Sequence, residues 1–294
     1  MSSINKVQKM KTEDIKNVSE AVKNFQEIIE KVLQPRGIDL AIMEGHTKII
    51  ENFVARKDVD DWTKMAFLSS YKKAIKELKN CTSIADIASN MILEDAKAEK
   101  IEEDWFAFFF DKARLISDEV AQNIWAKVLA GEVNNPGCCQ RTLLHILSVM
   151  NTSQAKLFCN IASFCMYEYK KEEYVHPFIF ISKNVDVYEA LDIHDDGLLE
   201  LENLGLIQCD FKDEFVFPKK KILRYGNHVI EVYGDPENEY KINVGNVRLT
   251  RDGQVLFKMI DESYKTYNAN ILDFIVTKLK QRNCKVIINN KLAV

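Results

Sequence analysis

The fold is decided by the stretch SDEVAQNIWAKVLAGEVNNPGCCQRTL, residues Ser117–Leu143. Its apolar residues recur every three or four positions from Val120 to Leu129, which predicts an amphipathic helix. We expect Ser117 to cap this helix, because a serine oxygen can accept a hydrogen bond from the first turn. The Pro136-Gly137 pair then predicts a turn, and a further helix follows it.

Glycine and proline are distributed unevenly along the chain. Residues 1–130 contain one Pro and two Gly, whereas residues 131–294 contain four Pro and eight Gly. From about residue 172 the sequence changes to short runs of β-branched and aromatic residues, which favour strands. We therefore predict an α+β protein with a mainly helical part at residues 1–170 and a second part with a small antiparallel sheet at residues 171–294.

Several amphipathic helices are expected in the first part. One should start after the acidic cluster at residues 58–61 and bury Trp62, Met65 and Leu78. Another should start at residues 82–83, where Thr and Ser are both good caps. These helices would pack into a bundle.

Six apolar residues near the start of the chain alternate at spacings of three and four, as in the seam of a coiled coil. They are Ile15, Val18, Val22, Phe25, Ile29 and Val32. Two interpretations stay open, because the seam is shorter than the roughly three to four heptads that identify a coiled coil. The seam joins chains in a homo-oligomer, or it belongs to a single helix that packs on its own bundle.

The charge balance gives no sign of a broad nucleic-acid surface. The net charge is −4; residues 1–150 hold 21 Lys and Arg against 23 Asp and Glu, and residues 151–294 hold 19 against 21. A protein that contacts many phosphates normally shows a basic excess. Neither half has one.

The sequence also predicts the cellular location of the protein. Its longest apolar run is far shorter than the roughly 18 residues of a spanning helix, so no membrane association is expected. The first thirty residues lack the apolar core of a secretory signal. The seven scattered cysteines fit reduced thiols better than a disulfide framework, and we predict a cytoplasmic protein.

Motifs typical of enzymes are absent from the sequence. It contains no phosphate-binding loop, dinucleotide-binding glycine pattern, zinc-protease helix or nucleophile elbow. Cys159 and Cys165 are poorly spaced for zinc and fit an apolar helix face. Cys138 and Cys139 lie just before a helix, a position that can lower the pKa of a thiol, but an unreactive thiol is the favoured interpretation. We predict no catalytic residue, no metal and no cofactor.

The decisive stretch resembles the core of an uncharacterised bacterial domain family with the pattern SDExxQxxWAxxLAGExxxPG, followed by RTL. Its matching positions, expected to be structural, include Ser117, Gln122, Trp125, Glu132, Pro136, Gly137 and Arg141. Such proteins usually carry Ser before RTL, where this chain has Cys138 and Cys139. More loosely, the helices are similar to those of abortive-infection alpha proteins, which implies a role in phage defence.

A second resemblance lies downstream. The segments LLELENLGLIQ and VRLTRDGQVLFKMI are similar to the recognition helix and the flanks of the wing in winged-helix regulators of the multiple-antibiotic-resistance type. The corresponding helix, residues 192–205, holds five carboxylates and neither Lys nor Arg, so like charges would face DNA phosphates. A basic cluster at Lys219, Lys220, Lys221 and Arg224 can contact nucleic acid or an acidic partner, or it is a solvated loop.

Together these features predict a non-enzymatic bacterial interaction or adaptor protein, plausible as a component of phage defence and binding a protein partner of unknown identity. The first alternative is a winged-helix regulator that binds nucleic acid through the basic cluster. The second is an enzyme whose dispersed active site leaves no recognisable motif.

Overall fold

The computed structural model describes residues 50–93, 95–169, 174–175, 177–180, 186–210, 212–217, 219–237, 239–260, 267–289 and 291–292. The chain divides into two compact units, Met1–Ser148 and Val149–Val294. It is a mixed protein, with helices in the first part and small antiparallel sheets in the second, as the composition predicts.

The division between the units precedes residue 170, where the sequence places its boundary. The helix Thr152–Ala162 packs within the second unit, against the helix Asp195–Asn203. The approach is close, since a Cβ atom on Gly197 would lie 2.6 Å from Leu157 Cδ2. Apolar periodicity identifies this helix but carries no information about which neighbour covers it.

The helices of the first unit are α1 (Asp61–Ser89), α2 (Glu103–Ala113), α3 (Glu119–Asn134) and α4 (Arg141–Val149), with a short 3₁₀ turn at Ala98–Lys100. Helix α1 packs on α2 and α3. The core of the unit is aromatic: the ring of Phe109 stacks on Trp105 at a centroid distance of 5.3 Å and meets Trp125 edge-on at 5.2 Å.

Helix α1 differs from its prediction in its length and in which of its residues are buried. It continues through Ser83 to Ser89 as one helix, so the predicted second start at residues 82–83 is wrong. Its N-terminal cap is Asp60, which accepts a hydrogen bond from the Thr63 N–H at 3.0 Å. The predicted burial is also wrong for Trp62 and Met65, whose exposed fractions are 81% and 61%, whereas Leu78 is buried.

The helices of the second unit are α5 (Thr152–Ala162), α6 (Asp186–Glu189), α7 (Asp195–Asn203), α8 (Arg251–Met259) and α9 (Ala269–Lys280). Its strands are β1 (Met166–Glu168), β2 (Tyr174–Val175), β3 (Ile207–Cys209), β4 (Phe215–Phe217), β5 (Lys220–Tyr225), β6 (His228–Tyr233), β7 (Ile242–Gly245), β8 (Val247–Leu249), β9 (Lys285–Ile288) and β10 (Lys291–Leu292). A six-stranded antiparallel sheet has the order β10-β9-β6-β5-β1-β2, and β3 with β8 and β4 with β7 form two-stranded sheets.

The arrangement around α7 bears on the winged-helix resemblance. Strands β3 and β8 would flank a wing, and they pair antiparallel with Ile207 opposite Leu249. The chain between them forms β4 to β7, and both β5 and β6 belong to the six-stranded sheet. This insertion is larger than a simple wing, and the winged-helix assignment stays a prediction.

None of the described helices combines the length and the apolar character needed to span a bilayer.

Candidate functional site around Glu132

Glu132, near the C-terminal end of α3, is a buried carboxylate that fixes the following turn. It is 3% exposed. Its Oε1 accepts a hydrogen bond from the Gly137 N–H at 2.6 Å, and its Oε2 accepts one from the Cys139 N–H at 2.8 Å. Gly137 has a φ of +86°, which favours glycine. The carboxylate therefore satisfies two backbone donors of a turn that a neutral side chain would hold less strongly.

Trp105 holds the same turn from helix α2. Its indole Nε1 donates a hydrogen bond to the Cys139 carbonyl at 2.7 Å, and the ring is buried against Phe109. The turn is thus fixed by side chains from two consecutive helices, α2 and α3. Sequence reasoning did not select Trp105, and the only signal for it is its place in the aromatic run WFAFFF.

A cavity of about 510 Å³ opens beside this turn. It is lined by Lys100, Glu102, Trp105, Glu132, Pro136, Gly137, Cys139, Gln140, Arg141 and Thr142. Four predicted family-motif residues, Glu132, Pro136, Gly137 and Arg141, therefore meet at one cavity. Arg141 Nη2 lies 4.0 Å from Glu102 Oε2 at its exposed rim.

Two thiols lie next to the buried carboxylate. The Sγ atoms of Cys138 and Cys139 are 3.4 Å apart, and neither residue is in a disulfide. Cys138 is half-buried and Cys139 is buried. One ligand atom each from Glu132, Cys138 and Cys139 can be chosen so that all lie within 4.8 Å of one another. The arrangement brings together three atoms that can act as metal ligands, two soft sulfurs and one hard carboxylate oxygen.

The remaining motif residues lie at the opposite end of α3. The Ser83 hydroxyl donates to Gln122 Oε1 at 2.8 Å, and Gln122 Nε2 donates to the Ile116 carbonyl at 2.9 Å. Asn80 Nδ2 donates to the Ser117 hydroxyl at 3.2 Å. These bonds satisfy buried polar groups between α1 and α3, while Trp125 fills the core between the two clusters.

Asp118, not Ser117, caps α3. Its side chain accepts a hydrogen bond from the Ala121 N–H at 2.9 Å, so the predicted cap is one residue out of register. An acidic cap also interacts favourably with the helix dipole, and Ser117 is used instead to bond Asn80.

Three of the four residues of the basic cluster lie on a strand and not in a loop. Lys219 precedes β5, and the other three residues belong to it. Lys220 Nζ is 2.7 Å from both Glu231 Oε2 and the Tyr233 hydroxyl, contacts that raise the pKa of Lys220. Lys221 Nζ is 3.4 Å from Glu168 Oε1.

Arg224 is exposed and lies over the ring of Tyr167, with 5.0 Å between its Cζ and the ring centroid. Two of the four basic side chains are therefore paired with carboxylates across the sheet. Along β5, burial alternates as in a strand only from Leu223 to Tyr225, where the exposed Arg224 lies between two buried residues.

Two of the four carboxylates of α7, Glu200 and Glu202, form hydrogen bonds within the second unit. Glu202 Oε1 accepts a hydrogen bond from the Cys209 N–H at 2.8 Å, and Glu200 Oε2 accepts one from Gln154 Nε2 at 3.1 Å. Asp192 contacts His194 at 3.2 Å. The acidic character of this helix remains the main argument against its insertion between DNA phosphates.

Cys159 and Cys165 are not among the residues that line this cavity. The seam residues Ile15, Val18, Val22, Phe25, Ile29 and Val32 lie outside the described residues. Cys165 is buried and Cys159 half-buried, and burial raises the pKa of the Cys159 thiol to about 11. A protonated thiol at neutral pH is a poor nucleophile.

The protein has a helical first unit, a mixed second unit and a cavity beside the turn after α3. A family model described as "Protein of unknown function (DUF2806)" matches residues 69–272. The chain belongs to this family, whose domain is uncharacterised. A search of curated proteins found no match, and a search of solved structures found none either.

Proposed function

We propose that this chain is a non-enzymatic protein-interaction or adaptor protein of the bacterial cytoplasm, and that it binds its partner through the N-terminal half of α1. The observation that carries the proposal is the exposure of Trp62 and Met65 on a helix whose C-terminal half is buried. Large exposed apolar side chains that lie together are typical of protein-binding surfaces, and tryptophan is enriched among residues that dominate binding energy.

The N-terminal half of α1 is largely exposed. The whole of helix α1 has 29 residues, which correspond to a length of about 43 Å. The buried residues of this helix begin only at Leu78. On one side, the Phe67 ring packs against Phe53 at a centroid distance of 4.1 Å. Trp62 and Met65 lie on a different side of the helix, where they stay exposed.

The exposed face continues along the helix with helical spacing. We define the α1 stripe as Trp62, Met65, Ser69, Lys72, Lys76 and Lys79, which alternate at spacings of three and four and are all exposed. Within the described residues, its three lysines form no ion pair. The stripe is apolar at one end and basic at the other. Its complement is an amphipathic helix of another protein that carries apolar and acidic residues on one face.

The proposed setting of this interaction is phage defence. The support is the resemblance, drawn from the sequence alone, of the helices to those of abortive-infection alpha proteins. The interaction and the setting are separate proposals, and each has its own measurement.

The α1 stripe can be tested by affinity purification of the tagged full chain from its native host, with quantitative mass spectrometry. A partner that binds the stripe should be depleted at least about tenfold by Trp62→Ala with Met65→Ala, as expected for central interface residues. Lys72→Glu with Lys76→Glu should deplete the same partner if it is acidic. Leu115→Ala is the control, because Leu115 is 61% exposed in the same unit but lies outside the stripe.

If every captured protein is retained equally by the control and by both double variants, binding through the stripe is contradicted. For the setting, phage plating efficiency is measured on cells with and without the chain. Equal plaque numbers for every phage tested would remove the phage-defence proposal and leave the interaction proposal intact.

Nucleic-acid binding is the alternative, favoured only by the exposed Lys219 and Arg224 near β5. It predicts that duplex DNA affinity falls steeply with salt and falls further when Lys219, Lys220 and Lys221 are changed to Glu. Fluorescence anisotropy of a labelled duplex measures both effects. Absent or salt-insensitive binding would eliminate this alternative.

A further inference from the structure

We propose that the turn after α3 is a binding site for a thiophilic divalent cation such as Zn²⁺, with Cys138, Cys139 and Glu132 as its protein ligands. Thiolate sulfur and carboxylate oxygen are common ligands of zinc. The three residues offer ligand atoms within 4.8 Å of one another. This site is independent of the α1 stripe and of the proposed interaction.

The distance between the sulfur atoms fits the proposal. A tetrahedral zinc ion with Zn–S bonds of about 2.3 Å separates two sulfurs by about 3.8 Å. The Sγ atoms of Cys138 and Cys139 are 3.4 Å apart. A shift of a few tenths of an ångström, which side-chain rotation can supply, would bring them to the tetrahedral spacing.

Glu132 serves the site in two ways. Its hydrogen bonds from the Gly137 and Cys139 N–H groups fix the turn that carries both thiols, so their positions are set before any ion binds. Each carboxylate oxygen has two lone pairs and accepts one of these bonds. One lone pair on each oxygen therefore remains for a metal.

The charges around the turn also fit. A divalent cation with two thiolates and one carboxylate carries a net charge of −1. On the cavity wall, the cations of Lys100 and Arg141 outnumber the carboxylate of Glu102 by one and would offset this charge. Three protein ligands leave a fourth position that water can occupy. The adjacent cavity of about 510 Å³ is large enough to hold it.

Binding must replace contacts that exist without an ion. The Cys139 thiol donates a weak hydrogen bond to the Val128 carbonyl, with 3.7 Å between the atoms. Both thiols lose their protons on coordination, so affinity should rise with pH. If Glu132 only stabilises the turn, no ion will bind. The substitution Glu132→Gln will then change only the stability of the protein.

The test is a Co²⁺ titration of the full chain, reduced with a phosphine. A thiolate-to-cobalt charge-transfer band that saturates at a single equivalent, and that Zn²⁺ abolishes, is the expected result. Cys138→Ser and Cys139→Ala should each weaken binding by at least about tenfold, the loss that even a change outside the ligand set causes. Cys159→Ser is the matched control, a half-buried thiol of the second unit.

The proposal is overturned if no thiolate band forms, if the band survives Cys138→Ser, or if Cys159→Ser removes it instead. Circular dichroism of each variant shows whether it is folded. Should Cys139→Ala fail to fold, Cys138→Ser decides, because Cys138 is only half-buried and tolerates substitution better.

Discussion

At the scale of single residues, Glu132 stabilises the first unit through two hydrogen bonds to one side chain. Its carboxylate accepts hydrogen bonds from two backbone N–H groups, and the residue is buried. Hydrogen bonds to a charged group contribute about 1.5–3 kcal/mol each, and an unsatisfied buried donor is costly. These two hydrogen bonds give the Glu132 carboxylate a structural role in the turn.

We predict that Glu132→Gln lowers the free energy of unfolding by about 2–4 kcal/mol, because the glutamine amide presents an N–H₂ group to one of the two backbone donors. Urea denaturation followed by circular dichroism measures the change. Glu119→Gln, an exposed position on the same helix, should stay within about 0.5 kcal/mol of the wild type. Equal effects of the two substitutions would show that the buried contacts add nothing.

At the scale of elements, two glycines of the second unit lie where neighbouring atoms come very close. A Cβ atom on Gly253 of α8 would lie 1.9 Å from the backbone oxygen of Leu206. A Cβ atom on Gly197 of α7 would meet only the end of the Leu157 side chain, at 2.6 Å. Backbone cannot move aside as a side chain can.

We therefore predict that Gly253→Ala destabilises the protein by about 1–3 kcal/mol and Gly197→Ala by clearly less, because overpacking costs more where nothing can relax. Thermal unfolding by calorimetry compares the two variants. If Gly197→Ala proves the more harmful, the packing of α8 against Leu206 is not the tighter of the two.

At the scale of the whole molecule, the predicted seam of Ile15, Val18, Val22, Phe25, Ile29 and Val32 bears on oligomeric state. If the seam joins chains, Val22→Asp with Phe25→Asp should convert an oligomer to a monomer, because buried charges oppose association. Sedimentation velocity over a range of concentrations measures the mass. An unchanged mass assigns the seam to packing within one chain, and Trp62→Ala with Met65→Ala serves as a control for association through the α1 stripe.

The sequence by itself determined the α+β class, most helices and the turn after α3, because these depend on residues within a few positions of one another: apolar periods, caps and the Pro136-Gly137 pair. Even there the cap at Asp118 is one residue from its predicted place, since Ser and Asp are nearly equivalent caps.

Only the tertiary structure decided which polar side chains meet and which apolar ones stay exposed. The cavity at Glu132 needs Trp105 from another helix, the polar cluster needs Asn80 opposite Ser117, and β5 needs its partners β1 and β6 to pair its lysines. Trp62 looks like a core residue in the sequence but is 81% exposed. The physical reason is that burial and pairing depend on neighbours brought close by folding, and local patterns do not specify those neighbours.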